Sequence, residues 1–293
     1  MSTIQGDFRR RLERRKWLGR AFHLLCLLSI VIALGMLAAL LFNIISQGWD
    51  RVSWDFLTSF PSRHSDRAGI YGALLGSIYV VSIAAVTAFT LGVGAALYLE
   101  EYAGRHWLVR VIQVNITNLA GVPSIVYGLL GLEIFARSLN LGNTILAGGL
   151  TMALLALPIV IIAAQEGLRA VPSSLREGGL ALGATRWQTI WHLVLPQAFP
   201  GIMTGVILAV SRAIGEAAPL IVVGAVAFVP FAPDGPLSRF TVLPIQIFNW
   251  ISRPQEGFHE AAAAGIIVLL VVLLIMNTGA VLLRNKFQKH LDG

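Results

Sequence analysis

Two oppositely charged residues, Arg212 and Glu216, lie four positions apart in an otherwise apolar stretch at 198–229. On a helix, this spacing puts both side chains on one face. A charge near the centre of a membrane costs about 2.5–3.5 kcal/mol on insertion scales, so such residues tend to face a bundle interior or a watery path. A guanidinium matches phosphate oxygens in a bidentate geometry. We therefore predict that Arg212 meets an oxyanion in a transport path. Glu216 then holds the arginine, or accepts a proton from a protonated oxyanion and so distinguishes phosphate from sulfate.

The same pair has a structural alternative. An arginine and a glutamate inside a membrane also form ion pairs that pin two helices together. In that case neither side chain touches a substrate, and both residues act only on the packing of the bundle.

Residues that interrupt helices lie at two places in the apolar stretches. The segment 217–219 (Ala-Ala-Pro) follows the charged pair, and Gly121, Pro123 and Ser124 stand together in an earlier stretch. Proline breaks the hydrogen-bond ladder of a helix, and the freed carbonyls need partners, so broken helices at membrane depth often line a cavity. Ser124 is therefore a candidate path residue, and Tyr127 is expected to extend its face toward the path. The alternative is a packing kink in which Ser124 bonds back to its own helix.

The composition is that of a polytopic membrane protein. The chain is 56% hydrophobic and only 13% charged, with a mean hydropathy of +0.75. Its formal charge of +7 is concentrated in the terminal segments and short loops beside apolar stretches. That distribution orients a protein in a membrane and argues against a nucleic-acid partner.

Six apolar stretches are long enough to cross a bilayer, which takes about 20 residues each. They lie at about 21–45, 68–98, 108–135, 141–164, 198–229 and 261–283. Six crossings put both termini on one side, and that side then carries fifteen of the 22 Lys and Arg residues. The positive-inside rule therefore predicts cytoplasmic termini and a cytoplasmic loop before the fifth stretch. The predicted fold class is all-α, with six transmembrane helices.

The first 20 residues are predicted to form a basic cytoplasmic arm, with residues 21–293 as one transmembrane domain. The uncharged run from residue 21 exceeds the roughly 7–15 residues of a secretory signal core and lacks a small-residue cleavage site, so we expect it to be retained. We predict that the arm anchors to anionic membrane lipid. A regulatory tail is the alternative.

The stretch from Glu177 to Pro196, EGGLALGATRWQTIWHLVLP, is too polar to cross a bilayer and too regularly patterned for an idle loop. Apolar residues recur at helical spacing on both sides of Gly183, where a helix can end without steric strain. Pro196 opens the following apolar run, where its missing N–H costs little. The pattern predicts two short helices joined by a turn and exposed to a partner.

This stretch resembles the cytoplasmic loop of permease subunits of bacterial ABC importers, which has the pattern E-A-A-x3-G-x9-I-x-L-P. The spacing matches throughout, although glycines replace both alanines and a leucine replaces the isoleucine. The matching positions are Glu177, Gly178, Gly179, Gly183, Leu193, Leu195 and Pro196. With the SRAIGEAAPL segment that follows, the region 169–220 is most similar to the A-type permease subunits of phosphate importers.

The resemblance implies a type I ABC importer permease fold in the bacterial inner membrane, with a coupling loop at 166–196 that contacts an ATPase. It also implies three partners: a related second permease subunit, a dimer of ATPase subunits, and an extracytoplasmic phosphate-binding protein. ATP and Mg²⁺ are then expected on the ATPase, because this chain has no G-x4-G-K-[ST] sequence. No metal-ligand spacing or catalytic constellation is present, so the chain is expected to hold no cofactor and not to be an enzyme.

Two other classes of function remain open at this stage. The same architecture serves other solutes, such as sulfate, molybdate or an amino acid. An independent secondary transporter is the second alternative, but such carriers often show inverted repeats, which this sequence lacks. The residues Gln165, Glu166 and Arg169, where the fourth stretch ends, are either a cytoplasmic gate or a solvated helix end with an i,i+3 ion pair.

Overall fold

The computed structural model describes residues 2–104, 106–225 and 228–289, and the regular structure of those residues is helical throughout. Its α-helices in chain order are α1 (Ser2–Gly48), α2 (Trp54–Thr58), α3 (Tyr71–Leu97), α4 (Trp107–Ala120), α5 (Ser124–Gly131), α6 (Ile145–Arg169), α7 (Ser173–Ala181), α8 (Arg186–Thr189), α9 (Leu195–Gly215), α10 (Ala218–Val223), α11 (Leu243–Ile251) and α12 (Glu256–Lys289). Arg105, which the charge count placed on the cytoplasmic side, lies outside the described residues.

Within the described ranges, five helical segments are long and apolar enough to cross a membrane: Arg15–Arg51, Tyr71–Tyr102, Ile145–Arg169, Arg186–Gly215 and Glu256–Lys286. A sixth span forms if the bent pair Trp107–Ala120 and Ser124–Ser138 is counted as one crossing. Each of these segments overlaps one of the six predicted stretches. The prediction of an all-α polytopic protein is confirmed.

Helix α6 is the centre of the bundle, with 67% of its most apolar window buried inside the chain. It packs between α3 and α9. The side chains at these contacts are small or β-branched and almost fully buried, among them Val80, Val160, Ala164 and Ile202. Such residues let membrane helices approach closely, which is how they gain packing energy without a hydrophobic driving force.

Helix α1 lies at the periphery. None of the most apolar window of Arg15–Arg51 is buried inside the chain, and α1 packs against α12. Its exposed leucines and isoleucines are therefore available to lipid or to another subunit. The backbone of α1 continues unbroken from Ser2, so residue 20 does not mark a break in structure, and the division into a basic arm at 1–20 and a domain at 21–293 stays a prediction.

Two spans are broken where the sequence predicts it. Helix α4 ends at Ala120, and α5 starts at Ser124 after a bend of 107°. The predicted fifth span is not one helix, because α9 ends at Gly215 and Glu216 has an extended backbone (φ −86°, ψ 110°) before α10 begins. Arg212 and Glu216 therefore do not share a helix, and the expectation that they do is wrong. Pro219, within the first turn of α10, starts a new helix instead of continuing the old one.

Candidate functional site

The charged pair lies at the end of α9. Arg212 Nε and Glu216 Oε1 are 3.5 Å apart, and the two side chains are 57% and 24% exposed. This separation exceeds the usual N–H···O range of about 2.7–3.2 Å. Among the described residues, no other carboxylate forms an ion pair with Arg212. The guanidinium therefore keeps most of its donors available, and the carboxylate is carried on backbone that has already left the helix.

The neighbouring residue Ser211 attaches this part of α9 to α12. Its hydroxyl lies within hydrogen-bond distance of Ile207 O and of Asn277 Oδ1 on α12. About two turns earlier in α9, Thr204 Oγ1 accepts a hydrogen bond of 3.0 Å from Arg284 Nη1 of α12. These polar contacts fix the position of the helix from which Arg212 projects.

The two broken spans pack against each other through the helices that follow their breaks. A Cβ on Gly128 of α5 would lie only 2.8 Å from Pro219 Cα of α10, so this glycine allows the close contact. Ser124 begins α5 and Glu216 precedes α10, which places both candidate path residues at the starts of two packed helices. Whether Ser124 lines the path stays a prediction.

Tyr127 does not extend the path, contrary to expectation. The side chain is almost fully buried, and its hydroxyl donates a hydrogen bond of 2.7 Å to Leu119 O near the end of α4. Leu119 O also accepts a hydrogen bond of 3.0 Å from Val122 N–H, so the Tyr127 hydroxyl adds a second bond to a carbonyl at the bend. Its role in this structure is to stabilise the break.

The predicted loop folds as two short helices, α7 and α8, with a turn at Gly183. Gly183 has φ +84°, a left-handed conformation that glycine adopts at little cost, and its N–H donates to Leu180 O at 3.0 Å. Thr185 and Gln188 form a capping box that starts α8. The helix then continues through a wider turn, Ile190–Val194, into α9, so that Leu193, Leu195 and Pro196 belong to one helical segment, Arg186–Gly215.

The two glycines at the motif's alanine positions differ in their surroundings. A Cβ on Gly178 would meet nothing within 4 Å, whereas a Cβ on Gly179 would lie 2.9 Å from Leu193 Cδ1 and from Thr189 Oγ1. Gly179 therefore lets α7 pack directly against the segment that leads into α9. Glu177 is exposed on the opposite side of α7.

The outer surface of this loop carries four large exposed apolar side chains. Leu180, Leu182, Trp187 and Trp191 are all more than half exposed, and the two tryptophan rings stack with centroids 5.5 Å apart. Exposed apolar groups gathered in one place mark an interaction surface rather than an ordinary solvated one.

This loop is anchored by a contact that the sequence did not predict. Arg176 Nη2 donates to Glu101 Oε1 at 2.8 Å, and its Nε donates to the same oxygen at 3.1 Å. The arginine also donates to two carbonyls at the end of α6, Val171 O at 2.7 Å and Leu168 O at 2.8 Å. Glu101 lies in the wide turn Tyr98–Tyr102 that continues α3. No sequence signal pairs residues 75 positions apart.

The predicted i,i+3 pair at the end of α6 exists and is part of a larger set. Arg169 contacts Glu166 at 3.2 Å and Glu100 at 2.6 Å, so one arginine lies between two carboxylates. Together with Arg176 and Glu101, these residues tie the end of α6 to the end of α3. The arrangement is more than a solvated helix end, and its role as a gate stays a prediction.

Comparison with known proteins gives three results. Residues 88–289 match the family described as binding-protein-dependent transport system inner membrane component. The chain is 34% identical over 265 residues to phosphate transport system permease protein PstA 1 of Mycobacterium tuberculosis (strain CDC 1551 / Oshkosh), covering 87% of this chain and 85% of the relative. It is 30% identical over 290 residues to PstA of Yersinia pestis, covering 98% and 96%.

Solved structures share the fold. A bacterial ABC transporter involved in the import of the acidic polysaccharide alginate superimposes with a TM-score of 0.62 at 17% identity, covering 93% of this chain and 96% of that one. At this level of identity the likeness concerns the architecture of the helices alone.

Proposed function

Because the chain belongs to the family of binding-protein-dependent transport system inner membrane components, we propose that it forms part of the path for inorganic phosphate in an ATP-driven importer. The relatives named as phosphate transport permeases support this substrate. The fold alone does not identify the substrate, since an alginate importer has a similar architecture. Sulfate, molybdate and amino acids are the competing solutes within the same architecture.

The observation that carries the proposal is that Arg212 is exposed and has few hydrogen-bond partners. Its guanidinium is exposed at the end of a transmembrane helix and has one long contact to Glu216. Such a group costs free energy in lipid, so it must face water or protein in the assembled transporter. A guanidinium offers five N–H donors in a planar fork that suits two oxygens of a tetrahedral oxyanion. Glu216 can accept a hydrogen bond from an oxygen that carries a proton, which phosphate has at neutral pH and sulfate does not.

The loop of α7 and α8 is proposed to bind an ATPase subunit through its exposed apolar surface. ATP and Mg²⁺ belong to that subunit, so hydrolysis takes place outside this chain. Glu177, Gly178, Gly179, Gly183, Leu193, Leu195 and Pro196 are the loop positions proposed to transmit its movement. Because α7 packs on the segment leading into α9, and α9 carries Arg212, a displacement of the loop moves the arginine as part of one rigid unit.

The complex is proposed to contain a related second permease, two ATPase subunits and an external phosphate-binding protein. Both termini and the loop 166–196 are proposed to lie in the cytoplasm, which the positive charge of those segments favours. The exposed surface of α1 then contacts lipid or the second permease. ATP binding biases the pair of permeases between inward and outward openings through its different contacts in the two states.

The test is radiolabelled phosphate uptake in cells that lack their own version of this subunit and receive either this chain or its Arg212→Gln variant. We expect the unchanged chain to restore uptake, and excess phosphate but not sulfate to block it. We expect Arg212→Gln to lower uptake at least tenfold with normal insertion, since a charge-assisted contact worth about 1.5–3 kcal/mol is removed.

Arg137→Gln is the matched control. Arg137 forms an exposed i,i+4 pair with Glu133 at 3.2 Å, so it has the same chemistry at another place on the chain. The Arg137→Gln variant should take up phosphate as fast as the unchanged chain. Equal uptake by all three proteins would support the transport function but would show that Arg212 has only a structural role. Inhibition of uptake by sulfate would favour a competing solute. An absence of phosphate uptake with every partner assembled would do the same.

A further inference from the structure

A polar groove of about 320 Å³ lies between α4 and the last two turns of α6. Its polar lining residues are Gln113, Thr117, Asn118, Gln165, Glu166 and Arg169. Three amides, a hydroxyl, a carboxylate and a guanidinium are an unusual lining between two membrane helices, because polar groups facing lipid are costly. The groove must therefore hold water, a ligand or another polar surface.

Gln165 has an unmet hydrogen bond in this groove. Its side chain is only 6% exposed, and its Nε2 has no hydrogen-bond partner among the described residues. An unpaired buried donor is costly, because no hydrogen bond compensates for the water that it has lost. Gln165 is one of the residues that line the groove, so an acceptor held there is a candidate partner for this N–H group.

The charges at the groove favour a ligand that both accepts and donates hydrogen bonds. Arg169 is shared between Glu100 and Glu166, so the region has one more carboxylate than cations. Amide N–H groups can bind the anionic oxygens of a ligand. The amide oxygens and the Glu166 carboxylate need donors, which an oxyanion without protons does not have.

We propose that this groove is an exit subsite for a protonated tetrahedral oxyanion, phosphate or arsenate, on its way to the cytoplasm. The N–H groups of Gln165 and its neighbours bind the P–O⁻ oxygens, and a P–OH group donates to the Glu166 carboxylate. Sulfate has no proton at neutral pH, so its oxygens face the carboxylate and amide oxygens unpaired. A site built around such hydrogen bonds rejects the analogue that lacks them.

The subsite rests on the proposed function and refines it, because it adds a second contact point after Arg212. The groove ends at Arg169, four residues before α7 begins, so it lies beside the loop that the ATPase is proposed to bind. An exit subsite on this side fills from the cytoplasm when phosphate accumulates there. It therefore makes uptake sensitive to internal phosphate.

The experiment uses the complete importer in proteoliposomes, with ATP inside and the binding protein and labelled phosphate outside. The interior also holds unlabelled phosphate, arsenate or sulfate at increasing concentration, and the initial rate of uptake is measured. We expect phosphate and arsenate to inhibit the unchanged importer more strongly than sulfate. In Gln165→Leu, we expect the internal phosphate concentration for half inhibition to rise about tenfold, a change equivalent to one lost hydrogen bond.

Asn115→Leu is the matched control. Asn115 lies on α4 beside the groove residues, but its amide bonds back to Val111 O at 2.8 Å and does not line the groove. It should show the inhibition of the unchanged importer. Product inhibition of the ATPase by phosphate is common to all variants. Only a difference between variants in the half-inhibiting concentration therefore measures binding in the groove.

Gln113→Leu gives a second measurement at a half-buried position, and it decides the question if Gln165→Leu does not assemble. Equal inhibition curves for the groove variants and the control would overturn the subsite while leaving the importer in place. Stronger inhibition by sulfate than by phosphate would also overturn it. A lack of ATP-driven phosphate uptake by the unchanged importer would instead refute the proposed function.

Discussion

Two arginine–glutamate pairs in this chain have the same chemistry and opposite surroundings. Arg176 and Glu101 are 26% and 8% exposed, come from distant parts of the sequence and meet through two hydrogen bonds to one oxygen. Arg212 and Glu216 are neighbours in sequence, more exposed, and meet through one contact of 3.5 Å. Every nitrogen of the first guanidinium donates within this chain, and the second guanidinium has most of its donors free.

The comparison separates a structural role from a binding role. A charge withdrawn from water is tolerated when hydrogen-bond partners replace most of the lost water, as the carboxylate and two carbonyls do for Arg176. A guanidinium left half-satisfied at the end of a membrane helix is poorly placed to stabilise the fold. This contrast supports the proposal that Arg212 binds a ligand, whereas the contacts of Arg176 attach the loop to the bundle.

The largest effect we predict is on stability, from Arg176→Gln. Removing one partner leaves Glu101 buried without its counter-charge and frees two carbonyls at the end of α6, which should cost about 3 kcal/mol. The purified complex should unfold at a clearly lower temperature, and its ATPase subunits should dissociate more readily. Both quantities can be followed by thermal unfolding and size-exclusion chromatography.

Arg186→Gln serves as the control for that experiment. Arg186 lies in the same loop, but it is exposed, its guanidinium lies 5.3 Å from the centre of the Tyr102 ring, and no carboxylate in the described part of the chain pairs with it. Its replacement should lower stability little, because exposed cation–π contacts contribute about 0.5–1 kcal/mol. If Arg176→Gln were as stable as Arg186→Gln, the contrast between the two arginine–glutamate pairs would lose its physical basis.

Local features of this fold were predictable from the sequence, and distant contacts were not. Hydropathy located the six apolar stretches, and Gly121 with Pro123 and the segment 217–219 located both breaks. Gly183 located the turn. Each signal acts on its immediate neighbours, through backbone conformation or partition into lipid. The pairing of Arg176 with Glu101 depends on how α3, α6 and α7 pack, which no local pattern encodes.

Only part of the candidate site could be predicted, because the rest depends on contacts between distant parts of the sequence. The types and spacing of Arg212 and Glu216 identified a charged pair in a span, but the end of α9 between them could not be read from their spacing. Tyr127 looked equally suited to a path or to a core, and only the fold shows its hydroxyl on Leu119 O. The groove of Gln165 is assembled from two helices, so a single stretch of sequence does not reveal it.

A smaller effect is expected from Gly183→Ala, which tests how firmly the anchored α7 is oriented toward α8. Alanine at φ +84° should lower stability by about 1–2 kcal/mol, although no neighbour blocks its Cβ. Gly178→Ala also meets no neighbour, and its helical position should raise stability by about 0.5–1 kcal/mol. Thermal unfolding of the two variants in the same complex measures the difference. Equal shifts would mean that the turn adapts freely, and that Arg176 alone determines the position of the loop.

The smallest effect concerns the weaker pair itself, measured by a double-mutant cycle of Arg212→Gln and Glu216→Gln. An exposed single contact should give a coupling energy in stability of no more than about 0.5 kcal/mol. In uptake, the two changes should be far from additive if both side chains bind the same oxyanion, because either loss removes one part of a joint site. Thermal unfolding and initial uptake rates of the four proteins provide both cycles. A strong coupling in stability, of the size that buried pairs show, would mean that Arg212 stabilises the fold as Arg176 does. The free donors of its guanidinium would then no longer be evidence for a ligand.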